Sequence, residues 1–107
     1  MSQYDHGWLR AESALRQMPE GFNLYDWMLD HNNAPEPNED HQFCHGYWVR
    51  VAMSDPTVSA AAKLITIWKS RRKNRNQLTD ADVRKEIRKR WRVLSEAQVA
   101  AVMAMSR

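Results

Sequence analysis

Helix-start signals recur along this chain at short intervals, and that spacing limits what it can fold into more than any other feature. Asp5 stands ahead of a segment whose apolar residues Trp8, Ala11, Leu15 and Met18 fall at helical spacing, and it is the expected cap. Pro19 and Gly21 stop that segment, because neither residue continues a helix well. Asn23 with Asp26, Thr79 with Asp82, and Ser95 with Gln98 each have the separation of a capping box. In that motif the first side chain takes up a free backbone N–H and the second reaches back to the cap. Ser54-Asp55-Pro56 offers a cap followed by a proline, whose missing N–H costs nothing in a first turn.

The segments between these signals carry the matching periodicity. Leu24, Trp27 and Met28 share one side of a short second helix. Residues 32–40, NNAPEPNED, hold two prolines and three asparagines without a large apolar side chain, so they read as a loop. Residues 41–53 are rich in strand formers and Gly46 weakens a helix there. Yet Phe43, Cys44, Tyr47, Trp48 and Val51 fit one helical face and no partner strand is visible, so helix is the expectation. After Pro56, Val58, Ala61, Ala62, Ile65 and Trp68 form a stripe that Leu64 and Ile67 widen. A helix apolar over so much of its circumference is expected at the centre of the fold. The expectation is all-α: residues 1–107 as a single domain of five or six short helices.

A chain of 107 residues supports one modest core. Its one cysteine, Cys44, excludes an internal disulfide and suits a reducing compartment. MSQYDHGWLR does not read as a signal peptide and no apolar run is long enough for a bilayer span, so a soluble, cytoplasmic protein is expected.

Charge is sharply segregated. Residues 1–53 carry three basic against eight acidic side chains, a net of −5, and residues 54–107 carry thirteen against five, a net of +8. Two clusters supply most of the excess: Lys69, Arg71, Arg72, Lys73 and Arg75, then Arg84, Lys85, Arg88, Lys89 and Arg92. On a helical projection Val83, Ile87, Trp91 and Leu94 form one narrow stripe, and the second cluster covers the face away from it. Glu86 and Arg90 are spaced to pair along the remaining edge. A solvated face ordinarily mixes both signs. Here acidic residues are absent from about 140° of arc, and like charges at i,i+4 cost roughly 0.2–0.5 kcal/mol per pair. A polyanion relieves that repulsion. The ordinary reading of the first cluster is complementarity to the C-terminal dipole of its helix.

Residues 83–102, VRKEIRKRWRVLSEAQVAAV, resemble the second helix and following turn of an HMG box. The resemblance lies in Val83, Ile87, Trp91, Leu94, Ser95 and Val102. It implies a DNA-bending, minor-groove-binding family. It covers about twenty residues. The chain lacks the basic N-terminal strand and the long third helix of that pattern, and no wedge residue carries over.

His41 and His45 stand at i,i+4 beside Asp40 and Cys44, but a zinc site needs more ligands at characteristic spacing, so no metal is expected. Cys44 and His45, being adjacent, point apart on a helix and make a poor nucleophile pair. No phosphate loop or nucleophile elbow is present. The aromatic residues read mainly as core, with one or two left at the surface.

The expectation is a non-enzymatic, cofactor-free accessory or regulatory protein that binds DNA or RNA through the phosphate backbone. Lys69, Arg71, Arg72, Lys73, Arg75, Arg84, Lys85, Arg88, Lys89 and Arg92 are the contact residues. The alternative is a protein–protein adaptor or inhibitor, of the kind a mobile element carries, whose basic face meets an acidic protein surface. A third reading is a homo-oligomer in which the acidic half of one copy meets the basic half of another. No membrane partner is expected.

Overall fold

The computed structural model describes residues 1–30, 32–36, 38–72 and 75–106. Six α-helices run in the order α1 (Gln3–Arg16), α2 (Leu24–Met28), α3 (His41–Ala52), α4 (Pro56–Ser70), α5 (Asp80–Arg90) and α6 (Glu96–Met105), with a short 3-10 turn at Arg75–Gln77. No strand occurs among the described residues. Residues 41–52 are helical, as their periodicity indicates.

Local capping chemistry fixes most of the starts. Asn23 accepts from the N–H groups of Tyr25 and Asp26, and Asp55 from those of Thr57 and Val58, with Pro56 in the first turn. Thr79–Asp82 and Ser95–Gln98 form complete capping boxes. The first helix differs from expectation. Ser2 is its cap and Asp5 is the reciprocal member three residues on, so the helix begins earlier than a cap at Asp5 would allow.

α1 and α3 pack along a seam of small residues. Gly7, Ala11 and Ala14 are buried on α1, facing Gly46, Tyr47 and Val51 on α3. A Cβ at Gly7 would overlap the Phe43 carbonyl, and one at Gly46 would overlap the Tyr4 carbonyl. Gly46 therefore lowers the propensity of its own helix and in return lets two backbones touch.

The central helix is α6, not α4. α6 packs against α2, α3, α4 and α5, and Val99, Ala101, Val102 and Met103 are buried on different sides of it. α4 buries Val58, Ala61, Ala62 and Ile65 but leaves Leu64 47% and Ile67 44% exposed. The small alanines of α6 allow neighbours to close in all round, whereas the wider stripe of α4 exceeds what the fold covers. The molecule measures 42 × 33 × 21 Å, about two helix diameters through its thinnest direction. So thin a body cannot enclose every large apolar side chain.

One carboxylate joins three elements. Asp55 caps α4 through Oδ1, while its Oδ2 accepts from the Tyr25 hydroxyl at 2.5 Å and from Gln98 Nε2 at 3.1 Å. Burial raises the Asp55 pKa, but Tyr25, Gln98 and the two backbone donors outweigh it, and the net position is below the ordinary carboxylate value. Burial and the Asp55 charge together push the Tyr25 hydroxyl upward, so it remains a proton donor. Tyr47, fully buried, donates to the Met28 carbonyl at 2.6 Å.

Candidate nucleic-acid interface

The basic end of the molecule is built by the C-terminal turn of α4, by α5, and by the turn that follows it. α5 attaches through Val83 and Ile87, buried against α6 and α4. Its polar faces are therefore left to solvent, as the stripe of apolar residues predicts.

The helix ends sooner than that stripe implies. Trp91 leaves helical geometry with φ −129° and ψ 81°, its N–H still bonded to the Ile87 carbonyl at 2.8 Å. Trp91, Arg92 and Leu94 lie in the turn, so the stripe continues by a change of direction rather than along one helix. Leu94 is buried and Trp91 half-buried all the same, because the turn folds them back under α5.

The cations do not form one uniform face. Arg84 and Arg88 both bind the Glu96 carboxylate in the first turn of α6, Arg84 at 3.0 Å, and Arg88 also donates to the Leu94 carbonyl at 2.7 Å. These two residues brace the α5–α6 corner, and Glu96 additionally suits the positive end of the α6 dipole. Lys69 is half-buried and donates to the Ser106 carbonyl at 3.0 Å, satisfying the C-terminus of α6. Arg72 stacks over the Trp68 ring, 5.1 Å from its centroid. Arg71, Lys85, Lys89 and Arg92 are exposed, and none of the four makes an ion pair among the described residues. Lys73 and the side chain of Arg75 lie outside the described residues.

Two adjoining clefts collect these groups. One, of about 320 Å³, lies between α4 and α5; Lys85, Lys89, Arg72, Trp68 and Leu78 line it together with Asp82 and Glu86. The other, of about 330 Å³, is lined by Trp68, Arg71, Arg72 and Arg90 beside the exposed Leu64 and Ile67. Trp68 and Arg72 border both. The Asp82 carboxylate is held below its ordinary value by hydrogen bonds from the Thr79 backbone N–H and then its hydroxyl. Glu86 is engaged by Arg90 at 3.0 Å.

Of the cations expected to make contact, the fold brings Arg71, Arg72, Lys85 and Lys89 to these clefts. Trp68 borders both clefts and Arg90 one of them, although spacing alone puts the first in a core stripe and the second in an edge pair. Only the meeting of α4 with α5 identifies them, and no local spacing carries that information.

Elsewhere, His41 and His45 lie with ring centroids 6.4 Å apart, and His45 Nδ1 is buried without a hydrogen-bond partner among the described residues. No group of three or more His, Cys, Asp or Glu side chains among the described residues is placed to hold a metal ion. A further cleft, about 480 Å³ and mostly apolar, lies between α3 and α4, where His45, Val49, Ala62, Lys63, Ile67 and Met105 meet.

Compared with known protein families, curated proteins and solved structures, the chain matches none. Among the described residues no helix is long and apolar enough to cross a membrane.

Proposed function

We propose that the protein binds nucleic acid through the phosphate backbone, using the cations that border the α4–α5 clefts. The observation that carries this reading is convergence. Arg71 and Arg72 come from the end of α4, and Lys85 and Lys89 from α5, yet they rim adjoining clefts; Arg71, Lys85 and Lys89 make no salt bridge among the described residues, although Lys85 and Arg72 attract the Asp82 carboxylate. Unpaired like charges held together by a fold repel one another, and a polyanion both relieves the repulsion and gains from counterion release. Arg92, exposed in the turn after α5, extends the same edge. Arg84, Arg88 and Lys69 serve the fold first, through Glu96 and the Ser106 carbonyl.

Anisotropy of short labelled DNA and RNA, titrated between about 50 and 200 mM salt, tests the reading. Steeply salt-dependent binding is expected, with the slope of log K against log salt reduced by about one for each of Arg71, Lys85 and Lys89 replaced by Gln. Absence of binding at the lowest salt overturns it.

A second reading, an adaptor or inhibitor meeting an acidic protein surface, is favoured by Leu64 and Ile67, which stand exposed beside Arg71 and Arg72. An apolar pair flanked by arginines suits a protein partner better than a phosphate backbone does. Replacing Leu64 and Ile67 by Ser separates the two: it leaves a phosphate contact unchanged and weakens a protein contact.

A further inference from the structure

The α4–α5 cleft carries more than positive charge. Its apolar lining comes from the Trp68 ring and Leu78, its cations are Arg72, Lys85 and Lys89, and it also contains two carboxylates, Asp82 and Glu86. A surface that only gripped phosphates has no use for an aromatic ring, and the two acids, which serve α5 through one oxygen each (Asp82 in its capping box, Glu86 with Arg90), still face the cleft. Carboxylates repel a phosphate from the cleft interior, yet they accept hydrogen bonds from the exocyclic amino group of a base. The lysines, on long flexible stems, are free to take phosphates at the rim.

We propose that an unpaired base of a single-stranded nucleic acid stacks on the Trp68–Arg72 pair within the α4–α5 cleft, its flanking phosphates held by Lys85 and Lys89. This rests on the phosphate-binding reading above and narrows it to strands whose bases are accessible. Trp68 is half-buried and borders both clefts, so it stands as a ridge with solvent on either side. Arg72 already lies over its ring at 5.1 Å. A planar guanidinium on that ring marks a stacking position that a planar base extends or takes over, since arginine and aromatic planes both stack on nucleobases. The cleft, at about 320 Å³, is of the size in which small ligands bind. A duplex presents its bases edge-on inside grooves and offers nothing to this ring. Asp82 and Glu86 favour bases bearing an amino group, cytosine, adenine or guanine, over thymine or uracil.

The test compares three ligands of equal length at one salt concentration: a dC oligonucleotide, an abasic strand with the same phosphates, and a DNA duplex. The dC strand is expected to bind roughly tenfold or more tightly than the abasic strand, as loss of base stacking implies. Trp68→Phe should keep that advantage and Trp68→Ala should lose it, with circular dichroism checking that each variant is folded. Equal affinity for the dC and abasic strands overturns the inference while salt-dependent binding keeps the phosphate reading, and that comparison needs no variant. An advantage for dC that survives Trp68→Ala also overturns it. Failure of all three ligands to bind overturns both.

Discussion

The seam between α1 and α3 and the junction between α4 and α5 show two ways of joining helices. At the seam Gly7 and Gly46 lie against the opposite backbone, Ala11 and Ala14 are buried, and no side chain larger than a methyl separates the two helices at the closest points. At the junction side chains hold the helices apart and leave clefts of about 320 and 330 Å³ rimmed by Arg, Lys and Trp. Burial at the seam contributes to stability and leaves nothing accessible to a ligand. The junction retains exposed apolar and charged surface, which is where binding is gained.

The sharpest way to break this contrast is to add one methyl at the seam. Gly46→Ala should cost about 2–3 kcal/mol in urea unfolding, because the Tyr4 carbonyl must move and α1 with it. A loss no larger than that of an ordinary surface change would mean the seam is slack. Next comes Tyr25→Phe, which removes a hydrogen bond to a charged group and should cost about 1.5–3 kcal/mol. That variant also sharpens the acid limb. Asp55 is lowered in the folded state, so its contribution is fully present above the ordinary carboxylate pKa and is lost as pH falls through the folded value. With Tyr25→Phe one of the bonds that lower Asp55 is gone, and acid unfolding should begin at higher pH, as read by circular dichroism along a pH titration.

Smaller effects belong to the junction. Thr79→Ala opens the capping box of α5 and should cost about 1 kcal/mol, with hydrogen exchange rising in α5 before the rest. Glu96→Gln, at a carboxylate 75% exposed, should cost less than about 1 kcal/mol. By releasing Arg84 and Arg88 it should tighten nucleic-acid binding in the anisotropy titration. An unchanged affinity would show that those two arginines point away from the ligand.

What the sequence makes legible follows the reach of its interactions. The caps at Asn23, Asp55, Thr79 and Ser95 obey fixed local spacing and are readable residue by residue, whereas residues 41–53 read as helix only by one apolar face against strand-forming residues and Gly46. Ser2 and Asp5 both match the cap preference, and only the reciprocal bond tells the two apart. Gly46 reads as a flaw in its helix until Tyr4 arrives from another. The basic projection of α5 is sound as geometry, but it treats every cation alike. Glu96 sits twelve residues from Arg84 across a turn, and it separates bracing arginines from the lysines that remain exposed. The centre of the fold has a different origin: α6 is apolar nearly all round, more evenly than α4, although α4 carries the larger side chains that suggest a central helix.

The shared carboxylate at Asp55 has a kinetic consequence. Its two side-chain partners lie 30 and 43 residues away in the chain, so its bonds form only after α2 and α6 have both come to the start of α4. Each of these bonds closes a long stretch of chain, an entropic cost that the local caps do not carry. The residue thus behaves as a latch set at the end of folding rather than a seed at its beginning. In a chevron, Tyr25→Phe should raise the unfolding rate and scarcely alter the folding rate.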